Sequence, residues 1–278
     1  MNSAKLVVTL LAGVVAIGAS PAARPQTCTA DPDSAANTGC AAGMICMVNN
    51  GNQCLPAPAP APLPGLLLPF DAQTNVICTH SNGTGSHASV NAFYALDFDS
   101  AYDQPPVVIR AAADGKAFVF GSDPANVPCS SDPNTACALC PPNPGTPESN
   151  TPTTCGDGWG NRIKILHAGG YFTFYAHLDH ALVNTGDMVK QGDAIAIEGQ
   201  TGLTGERQLH WSVNQLPGID EADWEQNISF VPQSVPFSFH AFYNGANRTI
   251  TAPGFQCPHA AIGQAPAGMV QPALTGVH

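Results

Sequence analysis

The stretch Gly199–Asn214, GQTGLTGERQLHWSVN, joins a glycine-rich turn to a short run of alternating apolar and polar residues. The apolar positions of this run are Leu209, Trp211 and Val213, and the polar ones are Gln208, His210 and Ser212. Alternation with a period of two predicts a β-strand with one buried face and one face available for chemistry. Gln208 and His210 therefore share one face of the predicted strand.

Similar short β patterns, separated by Gly, Asn and Asp, lie on the N-terminal side of this stretch. The predicted strands are 92–98, 107–112, 116–120, 162–167 and 171–178. In the first of them, Tyr94, Leu96 and Phe98 are predicted to share one face. With 27 Gly, 26 Pro and only 10% charged residues, the composition also favours a turn-rich β protein over a helical one. We therefore predict a mostly β fold with an antiparallel β-sheet core.

The N-terminus and the cysteines indicate export from the cytoplasm. Lys5 precedes the apolar run Leu6–Ile17, and small residues follow it, so residues 1–23 are predicted to be a cleaved signal peptide. We expect a secreted, periplasmic or extracellular protein with no transmembrane segment after signal cleavage. Ten cysteines in an exported chain predict disulfides. The net charge of −11 argues against a nucleic-acid partner, which would need a basic face.

Changes in composition divide the remainder of the chain. We predict a Cys-rich small module (24–55), a Pro/Ala linker (56–70), a main domain (71–258) with a disulfide-rich insertion (121–158), and a C-terminal tail (259–278). The small module has too little apolar periodicity to hold a core without its disulfides. Cys78 and Cys257 flank the main domain, and we expect them to tie its two ends. Whether residues 24–70 are a removed propeptide stays open.

His87, Asp97 and His210 are candidate metal ligands in the main domain. A catalytic zinc site needs three ligands of histidine or carboxylate type and an open position for water. A separation of ten residues between His87 and Asp97 is a weak signal by itself, and the chain has no HExxH motif. His80 lies seven residues before His87 in a similar polar loop, so either histidine could be the first ligand.

Several motifs in one order resemble the lysostaphin-type (LytM-domain) zinc metalloendopeptidases. His87 is followed, after the seven residues 88–94, by AlaLeuAsp97Phe. His177 lies in TyrAlaHisLeu. The segment ThrGlyAspMetValLysGlnGlyAspAlaIleAla, then GluGlyGlnThrGlyLeuThrGly and LeuHis210Trp, resembles the family's approach to its last strand. The resemblance covers residues 78–214 apart from the insertion. It implies an antiparallel β domain with a groove, and zinc held by His87, Asp97 and His210.

The resemblance also implies roles for two further residues. His177 corresponds to a catalytic histidine, and Gln208 stands where the family has the first histidine of its His-x-His motif. A glutamine amide can donate a hydrogen bond to a developing oxyanion, but it cannot transfer a proton at neutral pH. Proton transfer would then fall to His177. Gln208 as a working donor and Gln208 as a bystander beside the metal both remain open.

The function implied is a secreted, monomeric zinc metalloendopeptidase acting on peptidoglycan cross-links or other Gly/Ala-rich peptides. Two alternatives remain. The first is a catalytically degenerate LytM-domain protein that binds metal and wall peptides or regulates another wall hydrolase, and Gln208 favours it. The second is a disulfide-rich structural or adhesion protein whose N-terminal module makes the contact. Turnover of wall material separates the enzyme from both alternatives.

Overall fold

The structure is a computed structural model. It describes residues 29–31, 34–38, 40, 44–47, 53–63, 65–71, 74–81, 83, 85–89, 91–100, 105–120, 158–215, 231, 233–243, 246–252 and 261–263. Within these ranges, helical structure is limited to short 3₁₀ turns, among them Gly85–Ala88 and Ala168–Gly170. No helix in the described part of the chain is long and apolar enough to cross a membrane.

The regular structure is otherwise extended. In chain order the strands are β1 (Thr29–Asp31), β2 (Ser34–Thr38), β3 (Met44–Met47), β4 (Gln53–Pro56), β5 (Leu66–Leu67), β6 (Asn75–His80), β7 (Leu96–Asp99), β8 (Val108–Arg110), β9 (Gly115–Phe120), β10 (Asn161–Leu166), β11 (Tyr171–Leu178), β12 (His180–Ala181), β13 (Met188–Val189), β14 (Ala194–Ile197), β15 (Leu209–Gln215), β16 (Phe237–Tyr243), β17 (Ala246–Ala252) and β18 (Ala261–Gly263). The predicted mostly β class is confirmed.

Most of these strands form one central sheet. Its order is β13-β9-β10-β11-β15-β7-β6-β18-β16-β17, and β5 pairs with β16 at the side. Neighbours along this path are antiparallel, and only the β5–β16 pair within this sheet is parallel among the described strands. A second, three-stranded antiparallel sheet has the order β12-β14-β8. The antiparallel sheet core expected from the sequence is therefore present.

The two faces of the central sheet differ in what they contact. Leu209, Trp211 and Val213 of β15 point into the main apolar core. Trp211 is fully buried there and meets the rings of Phe237 and Phe239 edge-on at 5.0 and 5.2 Å between centroids. The alternate residues of β15 lie on the opposite face, where they carry the candidate site. Period-two alternation thus predicted the two sides of this strand correctly.

The predicted strand 92–98 begins later than expected. Residues 91–94 form a turn in which the Ala92 N–H donates to the Ser89 carbonyl at 3.1 Å and the Ala95 N–H to the Ala92 carbonyl at 2.8 Å. The strand β7 starts only at Leu96, so the prediction that Tyr94 shares a strand face with Leu96 is wrong. Residues 92–96 are all apolar and buried, so the sequence contains no break that marks the boundary between the turn and the strand.

The described residues at the N-terminal end form two hairpins. Strands β1 and β2 pair with each other, as do β3 and β4, and a disulfide joins Cys40 to Cys54 in β4. Among the described residues no cysteine is free, which agrees with the predicted disulfides. Cys78 is disulfide-bonded. Its expected partner Cys257, the predicted signal peptide 1–23 and the predicted insertion 121–158 except Gly158 lie outside the described residues.

Residues on both sides of the predicted main domain (71–258) take part in its core and its sheet. Leu66, Leu68 and Phe70, at the end of the predicted linker, are fully buried in the main core. Strand β18, inside the predicted tail, pairs with both β6 and β16. The apolar residues that follow the Pro/Ala stretch therefore pack in the core. The composition of the sequence does not predict this packing.

Candidate metal centre

The centre is a cluster of His87, Asp97 and His210 at the middle of the central sheet. Each residue offers one ligand atom, and these atoms all lie within 4.8 Å of one another. The Asp97 Oδ1 atom is 3.0 Å from His87 Nε2 and 2.9 Å from His210 Nδ1. All three side chains are buried. The structure thus brings together the three residues that the sequence singled out.

Strand pairing places two of these side chains side by side. His210 on β15 is directly opposite Asp97 on β7 and opposite Ala176 on β11. Residues opposite each other in an antiparallel pair point to the same face with their Cβ atoms about 4.5–5.5 Å apart. The register therefore fixes the distance between the carboxylate and the imidazole.

His87 reaches the cluster from the 3₁₀ turn Gly85–Ala88. Its Nδ1 atom is 3.0 Å from the Ser81 carbonyl oxygen, so Nδ1 carries the hydrogen and Nε2 faces Asp97. A backbone carbonyl that holds one ring nitrogen in this way sets the tautomer and orientation of a metal-binding histidine. His80 is placed differently: its Nδ1 is 3.6 Å from the other oxygen of Asp97, and 42% of its side chain is exposed.

Burial and mutual contact set the ionisation of the cluster. Burial alone would raise the pKa of Asp97, but the adjacent His87 and His210 hold that pKa well below its usual range. Burial would lower the pKa of His87, and the Asp97 carboxylate outweighs it, so the net shift is upward. For His210 burial prevails, and its pKa is lowered. Asp97 is therefore a carboxylate, the form in which it can coordinate a cation.

The donor set suits zinc. Two imidazoles and one carboxylate are a recurrent three-residue set in catalytic zinc sites. Bond lengths of about 2.0–2.1 Å in a tetrahedral site put neighbouring ligand atoms roughly 3.3 Å apart, close to the 2.9 and 3.0 Å separations from Asp97. The buried Nε2 of His210 has no hydrogen-bond partner among the described residues. Of the two ring nitrogens of His210, Nδ1 is therefore the one that faces the Asp97 carboxylate.

His177 lies at the end of β11, with its ring centroid 6.1 Å from that of His210. It is the one non-glycine residue with positive φ among the described residues, at φ 63°. Such a left-handed conformation costs of order 1–3 kcal/mol and persists where surrounding contacts enforce it. Here the His177 N–H donates to the Trp159 carbonyl at 3.0 Å, and Nδ1 donates to the Thr201 carbonyl at 2.8 Å.

These contacts determine the chemistry of the His177 ring. Because a carbonyl can only accept, Nδ1 carries the hydrogen and Nε2 keeps its lone pair. Burial, reinforced by the neighbouring His210, lowers the pKa of His177 to about 4. The ring is therefore neutral at neutral pH, and its Nε2 atom is available to accept a proton or a hydrogen bond.

Gln208 immediately precedes β15 and lies beside the cluster. Its N–H donates to the Gly199 carbonyl at 3.0 Å, which closes the glycine-rich turn onto the start of the strand. Only 8% of the residue is exposed. Gln208 lines the same groove as His177 and His210, so the predicted neighbourhood of the amide and the two imidazoles is present.

The groove above the cluster has a volume of about 300 Å³. Its lining residues are Ser86, His87, Ser89, Asn91, Ala92, Asp97, Gly158, Trp159, His177, Leu203, Gln208 and His210. All five candidate site residues from the sequence are in this set. The three candidate ligands therefore line one groove together with His177 and Gln208.

The turn 199–204 is held tightly against residues 158–161. The Thr201 hydroxyl accepts from the Asn161 N–H at 2.9 Å and donates to the Leu178 carbonyl at 2.7 Å. A Cβ atom added at Gly160, which has φ +64°, would lie 2.3 Å from the Thr201 hydroxyl oxygen. Only glycine therefore fits at Gly160. This packing holds the carbonyl that orients His177.

A buried carboxylate anchors the other end of the turn. Glu198 is fully buried and accepts hydrogen bonds from the backbone N–H and hydroxyl of Ser100, and from the Val107 N–H at 3.4 Å. Arg207 lies 3.4 Å from the same carboxylate. Burial raises the pKa of Glu198, although the hydrogen bonds from Ser100 oppose this shift. The end of β7 and the turn before Gln208 are thus tied to one group.

Sequence reasoning missed Trp159, Thr201 and Glu198 as parts of the site. In the sequence, Trp159 only precedes the predicted strand 162–167. Its ring centroid lies 4.9 Å from that of His210 and 6.4 Å from that of His177. The available signal was its position between Gly158 and Gly160, since an aromatic residue between two glycines indicates a special backbone conformation.

Comparison with known proteins first gives a class. Residues 149–223 match the family model described as Peptidase family M23. This segment contains His177, Gln208 and His210, and it begins after His87 and Asp97 in the sequence. The match covers the part of the chain from before β10 to just beyond β15. The chain is thus similar to M23 peptidases over its central strands.

Individual proteins share shorter segments with the chain. It is 36% identical over 63 residues to the cell division protein DipM of Caulobacter vibrioides, covering 23% of this chain and 10% of that protein. It is 44% identical over 52 residues to the peptidoglycan DD-endopeptidase ShyC of Vibrio cholerae, covering 19% of this chain and 12% of that protein. The similarity therefore spans only about a tenth of the length of each of these two relatives.

Solved structures overlap with a larger part of the chain, as one example illustrates. The catalytic domain of lysostaphin from Staphylococcus simulans aligns with 52% of this chain and 80% of its own length, at 19% identity and a TM-score of 0.31.

Proposed function

We propose that the chain is an M23-type zinc metalloendopeptidase that cleaves peptides of peptidoglycan cross-links or other Gly/Ala-rich peptides. The observation that carries this proposal is the buried set His87, Asp97 and His210, whose ligand atoms lie within 4.8 Å of one another on the floor of a groove. His177 and Gln208 line the same groove. The similarity to Peptidase family M23 over residues 149–223 supports the same class.

His87, Asp97 and His210 would hold the zinc ion. When bound, zinc lowers the pKa of a water molecule towards neutrality and polarises the carbonyl of the cleaved bond. His87 is oriented for this by the Ser81 carbonyl, which leaves Nε2 towards Asp97. His80 is the alternative first ligand from the sequence. Its partial exposure and its longer 3.6 Å approach to Asp97 favour His87.

His177 and Gln208 would act on the substrate. The neutral His177 ring is held through Nδ1 by the Thr201 carbonyl. At Nε2 it would accept a proton from the attacking water and then give this proton to the leaving amine. Gln208 donates an amide hydrogen to the oxygen of the substrate carbonyl as negative charge develops there. Because glutamine transfers no proton, His177 carries the acid–base work alone.

The alternative function is a binding or regulatory protein that holds metal and a wall peptide without turnover. Gln208 is the observation that favours it, because loss of one proton-transfer group typically forfeits about 10²–10⁴-fold in rate. Both functions place the protein outside the cytoplasm. The Cys40–Cys54 disulfide supports an oxidising compartment, and we propose secretion by the signal peptide 1–23, with a monomer as the working form.

The test is cleavage of purified peptidoglycan and of a pentaglycine peptide, with zinc content measured on the same sample. The wild type and Gln208→His are run together, and His177→Ala should abolish turnover without loss of zinc. Clear cleavage by the wild type supports the peptidase. Bound zinc with cleavage only by Gln208→His supports the binding protein.

The ligand set is tested separately by zinc content. His87→Ala should reduce zinc to a small fraction of one ion per chain, because a tetrahedral site loses one of its protein ligands. His80→Ala is the matched control and should retain zinc. Full zinc in His87→Ala with loss in His80→Ala would reverse the assignment of the first ligand. Absence of zinc from the wild type at neutral pH would refute the metal site.

A further inference from the structure

The groove has two chemically different walls. His210 lies on β15 between β7 and β11, so the loops beside β7 and those beside β10 and β11 flank the cluster from opposite sides. On the β7 side the wall consists of Ser86, Ser89, Asn91 and Ala92, and on the other side it consists of Gly158, Trp159 and Leu203. The first wall is mainly polar, and the second is apolar.

The polar wall is held by hydrogen bonds to the sheet. The Ser89 hydroxyl donates to Asn91 Oδ1 at 2.7 Å, and Asn214 Nδ2 donates to the Asn91 carbonyl at 2.9 Å. Asn214 in turn accepts from the Ser212 hydroxyl at 2.7 Å, on the same face of β15 as His210. Because Asn91 Oδ1 is used by Ser89, its amide hydrogens are the groups left to meet a peptide carbonyl.

The apolar wall is equally fixed. The Leu203 N–H donates to the Gly158 carbonyl at 2.7 Å, which joins the turn 199–204 to the segment that carries Trp159. The Trp159 ring packs edge-on against Phe174 at 5.1 Å, and it packs against the His210 ring at 4.9 Å with the two planes tilted by 57°. Its backbone carbonyl is occupied by the His177 N–H. The indole therefore has little freedom to turn away from the groove.

Leu203 is the unexplained residue of this wall. It is 64% exposed, although it lies at the mouth of a groove and beside a partly buried tryptophan. Single exposed leucines are common and need no explanation by themselves. Here, however, the exposed leucine lies beside a tryptophan on one wall, and hydrogen-bonding groups lie on the opposite wall. Burial of the leucine and the tryptophan under an aliphatic side chain of a ligand would be favourable.

We propose that Trp159 and Leu203 form an apolar subsite that selects an aliphatic side chain next to the cleaved bond, in preference to glycine. The proposal rests on the peptidase or peptide-binding function proposed above and specifies its substrate. The opposite wall, through Asn91 and Ser89, binds the peptide backbone. A substrate strand is thereby oriented with its side chain towards Trp159 and its backbone towards Asn91.

The expected preference follows from the size of the contact. One methylene in an apolar pocket changes kcat/KM by about 10-fold or more. For the wild type we therefore expect kcat/KM to rise at least about 10-fold from glycine to alanine or leucine. Serine is close to alanine in size but polar, so the kcat/KM of the serine peptide should be similar to that of the glycine peptide.

The experiment uses the full-length, zinc-loaded protein and pentapeptides of glycine in which one residue beside the cleaved bond is glycine, alanine, serine or leucine. Leu203→Ser is the main variant, because an exposed side chain can be changed without loss of the fold. Leu182→Ser is the matched control, since Leu182 is 47% exposed and does not line the groove. Trp159→Phe tests the second member of the subsite while keeping an aromatic ring beside His210.

Both cleavage and equilibrium binding of the peptides are measured. Loss of the aliphatic preference in Leu203→Ser, with the preference kept in Leu182→Ser, supports the subsite. A wild type that cleaves all four peptides equally well, or glycine best, overturns the subsite and leaves the peptidase intact. If no peptide is cleaved, the proposed peptidase function is refuted, and the binding measurements test the subsite. Tighter binding of the alanine and leucine peptides by the wild type, lost in Leu203→Ser, supports the subsite. Equal binding of all four peptides overturns it.

Discussion

Replacement of Thr201 by valine separates the hydroxyl of this residue from its shape. Thr201 is fully buried, and its hydroxyl makes two hydrogen bonds, from the Asn161 N–H at 2.9 Å and to the Leu178 carbonyl at 2.7 Å. Valine has nearly the same volume but neither donates nor accepts. Thr201→Val should therefore weaken the attachment of the turn 199–204 to the start of β10 and the end of β11.

The magnitude follows from the two bonds. A buried polar group that loses its partner costs about 1–3 kcal/mol. With two bonds lost, and partial relaxation of the backbone, we expect the free energy of unfolding to fall by about 2–4 kcal/mol in Thr201→Val. Thr201→Ser keeps the hydroxyl and loses one methyl group, so it should cost about 1 kcal/mol.

The functional effect should follow the hydroxyl as well. The Thr201 carbonyl accepts from His177 Nδ1 at 2.8 Å, so displacement of the turn changes the orientation of the His177 ring. We expect Thr201→Val to lower kcat while zinc content stays at the wild-type level, because the candidate ligands are held by other contacts. Thr201→Ser should retain most of the turnover.

Urea unfolding of the two variants and the wild type measures the first effect, and peptide cleavage with zinc analysis measures the second. The reasoning is refuted if Thr201→Val is as stable as Thr201→Ser to within about 0.5 kcal/mol, which is the usual range for substitutions without a buried role. A valine variant that loses zinc would place the effect at the ligands instead of at His177.

Two further predictions concern the surroundings of the site. Gly160→Ala should destabilise more than Gly186→Ala in urea unfolding: both glycines have positive φ, which costs alanine about 1–2 kcal/mol, but only at Gly160 would the new Cβ atom meet Thr201, at 2.3 Å. Equal losses would contradict the close packing. Burial lowers the pKa of Lys164 well below its usual value, so the unfolded chain binds this proton more readily and stability should rise with pH up to the ordinary lysine pKa of about 10.4. Lys164→Met should flatten this rise between pH 7 and 10, and an unchanged slope would mean that Lys164 is charged in the fold.

Local pattern determined the bounds of one strand of the central sheet and the two sides of another. The strand 171–178 was predicted with the bounds that β11 has, and the alternation from Gln208 to Val213 gave the correct sides of β15. The order of motifs pointed to His87, Asp97, His177, Gln208 and His210, and the structure brings all five to one groove. Their roles as ligands and catalytic groups remain predictions.

The start of β7 and the limits of the domain were beyond local pattern. Residues 92–96 are all apolar, so the sequence does not distinguish the turn at 91–94 from the strand that follows it. Leu66, Leu68 and Phe70 follow a Pro/Ala stretch in the sequence, yet they pack in the main core. Which apolar residues are buried depends on pairing between distant strands, and composition carries no record of that pairing.

The sequence by itself therefore determined which residue types stand on which face of a strand, because side chains alternate with a fixed period along an extended chain. Only the tertiary structure put His87, on its 3₁₀ turn, in the cluster with Asp97 and His210 and left His80 partly exposed. Only the tertiary structure brought Trp159 and Thr201 to His177, through hydrogen bonds between segments far apart in sequence. Contacts of this kind are fixed by the packing of the whole sheet.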